Sequence, residues 1–329
     1  MTTALVVGAG AVGTRAARQL VDTPTVDRVL LADERTEHAE AVAKSLGDKA
    51  EVIEYELGDA IPAGVDVIAC ALPTGFDHAV AVAAIAAGVP LASSDDDHDA
   101  IEALRALQPN AVGANVTLAV GCGISPGFTD VLVRHAAAMF SSVDEIRVAR
   151  TGWAGPASVA SVRRERRAMV RSWREGSWRE EHPHGEALVW FPDPIGGHDC
   201  QLVTGGAALL VDEFPKVPRI SVLLGEPPKR AWLRRRFGDD GLWGAARVEV
   251  WGRRDDTYDC VVYGLVERTE VAAGTVLAVA AGLLGGAFEH RVERPGVHGL
   301  SGLAEPVPFL AEVAQRGVRA AVFEGAPVI

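Results

Sequence analysis

Three glycines set the first chemical possibility in this chain. In "ALVVGAGAVG", Gly8, Gly10 and Gly13 follow an apolar run and precede a helical pattern. Gly8 permits a tight turn, Gly10 lets a pyrophosphate approach the backbone, and Gly13 lets helix and strand pack closely. Ala11 and Val12 open the helix, where free N–H groups and the helix dipole favour negative charge. Asp33 ends "RVLLAD", 20 residues after Gly13. A carboxylate there accepts hydrogen bonds from both hydroxyls of an adenosine ribose, which favours NAD. Arg35 follows Glu34 at the same corner and is the type that holds a 2′-phosphate, so NADP is the alternative. The competing reading is a plain α/β core that needs glycines only for packing.

Three further segments fall where the nicotinamide of such a cofactor is expected. "ACALP" offers Ala71, Leu72 and Pro73. "ASSDDDHD" offers Ser94, while its acids suit the cap of a helix starting near Asp97. "GISPGFTD" places Gly123, Pro126 and Gly127 after an apolar strand. In it Ser125 suits a helix N-cap and Pro126 the first helical position. The amides of Gly127, Phe128 and Thr129 are then expected to meet a substrate carboxylate or the nicotinamide amide. The alternative is a well-made helix start and nothing more.

Hydride chemistry with a nicotinamide cofactor needs a group that gives or takes a proton. The candidates are His198 in "PIGGHDC", His298 in "PGVHGLSG", and Asp130 in the first turn after Gly127. "SVRRERRAMVRSWREGSW" carries six arginines, and a helix there puts residues 163, 167, 171 and 174 on one face. Arg163 and Arg167 are the candidates for substrate carboxylates. The competing reading is a solvated face with Glu165 and Glu175 as local partners. His182 and His184 have metal-like spacing without a convincing third ligand, so no metal is expected.

The elements that must position these residues follow from periodicity. Short apolar runs at 4–7, 28–32, 51–55, 65–71, 89–92 and 116–120 read as strands buried on both faces. Helical patterns at 12–21, 37–46, 76–87 and 97–107 separate them. This alternation predicts a Rossmann-type doubly wound parallel sheet over residues 1–125. Residues 126–329 change character, because all seven tryptophans lie between Trp153 and Trp251 and the strand candidates there are longer and alternate. That predicts an α+β domain with an antiparallel or mixed sheet.

Composition excludes several classes. The 329 residues are 48% hydrophobic and 23% charged, as in an ordinary globular protein. The net charge of −12 argues against nucleic acid, despite the basic aromatic patch Lys229–Phe237, and against acidic membranes. Scattered Cys70, Cys122, Cys200 and Cys260, with no positively charged leader, suggest a reduced, cytoplasmic protein. The uncharged stretch 271–288 contains four glycines between flanking glutamates. It is expected as a buried helix ending at Gly285–Gly286, not as a membrane span.

"VVGAGAVG", "DVIACALP" and "GCGISPGFTDVLVRHAA", in that order and spacing, resemble the saccharopine dehydrogenase-like family. "GTVLAVAAGLLGG" and "GVHGLSGLAEPVPFLAEVAQRGV" resemble its C-terminal segment. The resemblance implies a pyridine-nucleotide oxidoreductase acting at an amine or imine carbon of an amino-acid-like small molecule. It also implies that Pro126–Gly127 lies near the nicotinamide, and that residues from about 270 onward complete the first domain. A mixed-sheet substrate and dimerisation domain, hence a homodimer, is implied as well. Two rival expectations keep the same cofactor site: reduction of a C=C or C=O bond, and NAD(H) binding without turnover.

Overall fold

The structure is a computed structural model that describes residues 2–182, 186–225, 243–288 and 291–323. Among the described residues, strands β1 (Thr2–Val7), β2 (Val26–Ala32), β3 (Ala50–Val52), β4 (Val67–Cys70), β5 (Leu91–Ser93), β6 (Thr117–Val120) and β15 (Gly296–Gly299) form one parallel sheet. Its order is β15-β6-β5-β4-β1-β2-β3, the doubly wound order with one strand added. In β1, Ala4 and Val6 face one helical layer while Leu5 and Val7 face the other. Burial on both faces explains why the strand is apolar at consecutive positions. Helices α1 (Ala11–Val21) and α2 (Thr36–Leu46) cover the first face. Helices α3 (Asp77–Ala87), α4 (His98–Arg105) and α5 (Gln108–Gly113) cover the second.

The helix expected over 97–107 is α4, and a further short helix, α5, follows it with Pro109 in its first turn. The cap at Asp97 forms as expected, its side chain accepting from the amides of Asp99 and Ala100.

Helix α6 (Phe128–Ala137) leads into a mixed sheet. Its strands are β7 (Ser142–Thr151), β8 (Val170–Arg174), β9 (Ser177–Glu181), β10 (Glu186–Phe191), β11 (Gly196–Val203), β12 (Arg219–Gly225), β13 (Trp243–Arg254), β14 (Thr257–Arg268) and β16 (Ala320–Val322). β7 and β12 are parallel and the other pairs antiparallel. Helices α7 (Pro156–Glu165) and α8 (Ala207–Glu213) pack on one face of the β12 region.

The arginine run corrects the expectation of a single helix. α7 ends at Glu165, and Val170–Arg174 is strand β8, turning into β9 through Glu175 and Gly176, both at positive φ. A hairpin turn of that kind favours glycine. The β8 pattern of buried Val170 and Ser172 alternating with half-buried Arg171 and Trp173 is the period of a strand. Trp173 packs edge-on against Trp178 across the hairpin, ring centroids 5.3 Å apart. Residues 163, 167, 171 and 174 consequently share no helical face.

The uncharged stretch forms helix α9 (Thr269–Gly285), capped by Gly286 in the left-handed conformation. It packs against α1 so closely that a Cβ on Gly274 would lie 2.5 Å from the Arg15 Cβ and 2.7 Å from the Val12 carbonyl. Helices α10 (Leu300–Leu303) and α11 (Pro306–Gln315) follow β15. No described helix is long and apolar enough to cross a membrane.

Candidate functional site

The glycine loop is built by close packing on two sides and by open space on the third. A Cβ on Gly8 would meet the Ala71 carbonyl at 2.5 Å, and one on Gly13 would meet the Gly8 carbonyl at 1.7 Å. A Cβ on Gly10 would meet nothing within 4 Å. The loop is thus closed against the protein at Gly8 and Gly13 and open at Gly10, ahead of Ala11 and Val12 at the start of α1. Asp33 accepts from the Ala9 amide at 2.7 Å through Oδ2, and from the Arg35 amide at 2.9 Å through Oδ1. Its side chain is held at the loop while Glu34 and Arg35 lie exposed beside it. These residues fit a dinucleotide: a cradle open where a phosphate comes close, and a carboxylate fixed at the ribose corner.

Further along the carboxyl edge, Ala71 and Leu72 are half-buried after β4 and Pro73 is exposed at the rim. The Ser94 amide donates to the Cys70 carbonyl at 3.0 Å, placing the β5 loop beside them. Beneath lies a polar floor. Ser93 Oγ donates to Asp77 Oδ2 at 2.5 Å, and Asp95 accepts from the amides of Gly75 at 2.8 Å and Asp97 at 3.1 Å. Burial raises Asp77 to about 7 and Asp95 to about 6.

The segment Gly123–Asp130 differs from expectation. The N-cap position is Gly127, at φ +119°, rather than Ser125. The amides of Phe128 and Thr129 donate to the carbonyls of Gly123 and Ile124, both at 2.9 Å, instead of facing a ligand. Local carbonyls satisfy these donors because the loop folds back on itself, with Gly123 and Gly127 bridged. A Cβ on Gly127 would strike the carbonyls of Gly121 and Gly123 at 2.5 Å, so its missing side chain serves this closure. Pro126 is buried beneath Gly206, where a Cβ would lie 2.4 Å from the Pro126 Cβ. Asp130 is buried next in line; Thr129 Oγ1 donates to its Oδ1 at 3.1 Å, and burial raises it to about 7.

The second domain closes the crevice from above. At one end of α7 a Cβ on Gly155 would lie 3.6 Å from the Ala11 Cβ; at the other, Arg164 donates to Asp97 at 2.9 Å. Ten helical residues span about 15 Å, so α7 lies across the carboxyl ends of β1, β4 and β5. Arg150 at the end of β7 reaches Asp96 at 2.6 Å and Glu165 at 3.5 Å, and Ser161 donates to Asp96 at 3.2 Å. Glu165 is buried, and burial raises it to about 7, against the pull of Arg150 and the Gly205 amide and with the push of Asp96 and Asp97. A cleft of about 280 Å³ opens here, lined by His98, Arg164, Glu165, Arg171, Glu180 and Thr204 among others.

The proposed histidines stand elsewhere. His198 pairs with Val189, its ring 6.2 Å from that of Phe191, on the sheet face that carries Ala149, Leu223 and Ala245. The opposite face, with Ile146, Val148 and Val250, packs against α6. His298 lies on edge strand β15, three strands from β4, or about 14 Å at the usual strand spacing. Its Nε2 lies 3.3 Å from the Pro295 carbonyl, and burial lowers its pKa. Arg163 and Arg167 are exposed on the solvent side. No group of three His, Cys, Asp or Glu among the described residues could hold a metal. His184 and Lys229–Phe237 lie outside the described residues. The residues that the sequence reading missed are Arg150, Asp96 and His98, with Glu165 read only as a local partner of arginines.

Residues 2–93 match a family model described as "Oxidoreductase family, NAD-binding Rossmann fold". The fold is similar to that of saccharopine dehydrogenase (L-Glu forming) from Saccharomyces cerevisiae, at 14% identity and TM-score 0.71, covering 98% of this chain and 100% of that one. It is also similar to C. glutamicum DAP dehydrogenase in complex with DAP, at 14% identity and TM-score 0.56, covering 96% and 99%. A myo-inositol dehydrogenase from Corynebacterium glutamicum gives 15% identity and TM-score 0.51, covering 99% and 100%. The class defined by fold and glycine loop is the NAD(P)-dependent oxidoreductases built on a Rossmann domain. Within it, the whole-chain fold resembles that of saccharopine dehydrogenase.

Proposed function

We propose that the protein transfers hydride at a C–N bond of an amino-acid-like small molecule, in the cleft beneath α7. The observation that supports this reading is Glu165, a buried carboxyl on the lining of that cleft, 3.5 Å from Arg150 and raised by burial to about 7. A group poised near neutrality can both take and give a proton. NAD(P), when bound along Gly8, Gly10, Gly13 and Asp33, supplies a two-electron hydride acceptor or donor. Ala71, Leu72, Pro73, Ser94 and Gly123 then border its nicotinamide.

In the oxidative direction Glu165 takes the proton from the substrate nitrogen. The C–H hydrogen leaves with its electron pair, and the carbon–nitrogen double bond forms. In the reductive direction Glu165 returns the proton to nitrogen. Arg150 holds Glu165 in place through one carboxylate oxygen and is itself fixed by Asp96. Reduction of a C=O bond would use the same carboxyl as a proton donor to oxygen, so the labelled substrate, and not Glu165 alone, separates the two reactions. The homodimer belongs to the same reading; edge strand β10 with exposed Leu188 and Trp190 supports it, and light scattering tests it.

The test is a screen of α-deuterated amines and amino acids with NAD+ and NADP+, read by mass spectrometry of the nicotinamide. Label arriving from an amine carbon supports the reading. Label arriving only from alcohols, or from no substrate, sinks it. Glu165→Gln is expected to lower kcat about 100-fold or more while leaving NADH affinity unchanged.

A further inference from the structure

The loop between β4 and α3, residues 71–76, forms one wall of the dinucleotide cradle. A Cβ on Gly8 would lie 2.5 Å from the Ala71 carbonyl and 3.3 Å from Leu72 Cδ2, so loop and cradle touch directly. The loop has little packing to hold it there. Pro73, Gly75 and Phe76 are exposed, and Ala71, Leu72 and Thr74 are half-buried. A segment with few buried contacts opens easily unless polar bonds fix it.

The anchor comes from the end of the neighbouring strand. Asp95, 5% exposed just past β5, accepts from the Gly75 amide at 2.8 Å through Oδ2. Through Oδ1 it accepts from the Asp97 amide at 3.1 Å. Its own amide donates to Ser93 Oγ at 3.2 Å, and that hydroxyl donates to Asp77 Oδ2. The loop is thus tied at Gly75 by Asp95, and at its far end, Asp77, by Ser93. Both Asp95 oxygens act as acceptors. An asparagine in its place has one acceptor oxygen and turns an NH2 group toward the second amide.

The surroundings oppose a charge at this position. Asp96 and Asp97 stand beside it and Asp77 on α3, with His98 and Asp99 following at the start of α4. Arg150 and Arg164 reach in only as far as Asp96 and Asp97. The thiols of Cys70 on β4 and Cys122 after β6 are pushed up by burial and stay neutral. Burial raises Asp95 to about 6, while the Gly75 and Asp97 amides pull the other way. Amides that favour the ionised carboxyl are in turn held more tightly by it than by the protonated form.

We infer that Asp95 is a positioning residue for the cofactor: its carboxylate fixes the β4–α3 loop as a wall of the dinucleotide cradle. The loop is held at neutral pH and slackens as Asp95 takes up a proton, so the grip on the cofactor weakens in acid. This rests on the cofactor reading of the glycine loop and not on the chemistry assigned to Glu165.

The experiment is calorimetric titration with NAD+ or NADP+, whichever binds more tightly, at about pH 7.5 and about pH 5. Beside it runs hydrogen exchange of the Gly75 amide, corrected for its intrinsic rate. Wild type is expected to bind about three- to tenfold more weakly at the lower pH, with Gly75 less protected. Asp95→Asn is expected to bind about tenfold more weakly at the higher pH. It should also lose the Gly75 protection and most of the pH dependence, while the amides of β1 stay protected. Asp95→Glu, which restores two acceptor oxygens, is expected to recover part of the affinity and of the pH dependence. The inference is overturned if Asp95→Asn binds the nucleotide within twofold of wild type, or if its affinity falls with pH as steeply. Should that variant not fold, Ser93→Ala carries the test, since it removes the hydroxyl that meets the Asp95 amide. Loss of both nucleotide affinity and Gly75 protection supports the inference, and retention of either overturns it. If wild type binds neither nucleotide, the cofactor reading fails as a whole and this inference falls with it.

Discussion

The glycine loop and the α7 cleft flank the same crevice and are built on opposite terms. At the loop, backbone meets backbone: Gly8 and Gly13 admit no side chain, and the Asp33 carboxylate is held by two amides. At the cleft, side chains from four separated segments meet, acids are forced toward neutrality, and polar atoms lack partners. A region whose groups are satisfied holds its shape and receives a ligand passively. A region that carries a raised acid beside charges of both signs is suited to moving a proton.

The widest separation comes from one methyl group. Gly13→Ala puts a Cβ 1.7 Å from the Gly8 carbonyl and is expected to cost more than about 100-fold in NADH affinity and several degrees of Tm. Gly10→Ala meets no protein atom within 4 Å, so Tm is expected to hold while NADH affinity falls about tenfold or more. Equal Tm losses in the two variants would erase the distinction between packing and ligand approach.

Asp33→Ala, read by the same calorimetry, is expected to lower NADH affinity by about tenfold and leave NADPH affinity close to wild type. An equal loss for both nucleotides would instead make Asp33 a support for the Ala9 amide alone.

The cleft has its own signature in pH. Glu165 rises from an ordinary 4.5 to about 7, so the folded state favours its protonated form. Its stabilising contribution is full below pH 4.5 and is lost as pH rises through 7, a change of about 3 kcal/mol. Asp77 and Asp130, both raised to about 7, act in the same direction. Tm is expected to fall between pH 5 and pH 8, and Glu165→Gln to flatten part of that slope. A Tm that rises over this range counts against buried, neutral acids.

The sequence carried the loop because all of it except Asp33 lies within six consecutive residues, each with a local reason to be there. The parallel order was legible for a similar reason, since strands buried on both faces are apolar without alternation. Gly123–Asp130 was legible as a helix start but not as a self-closed turn, because glycine serves a close ligand and a close carbonyl equally well. The cleft was hidden for two reasons. Arg171 was placed on a helix because its neighbours are strong helix formers, whereas the Glu175–Gly176 turn and strand pairing prevailed. Glu165 was read beside its arginines in sequence, while its burial partner Asp96 is 69 residues away and is brought in by Arg150.

Helix α9 and strand β15 give the molecule a particular order of birth. α1, which opens at the glycine loop, lies flush against Gly274, and β15 is the last strand of the first sheet. A ribosome releases residues 1–125 long before residue 299, so this nascent N-terminal segment emerges with an apolar helix face and a sheet edge still uncovered. The dinucleotide site is among the first segments translated and among the last to be finished. Its folding is therefore coupled to synthesis of nearly the whole chain, and chaperone shelter matters most in the interval between.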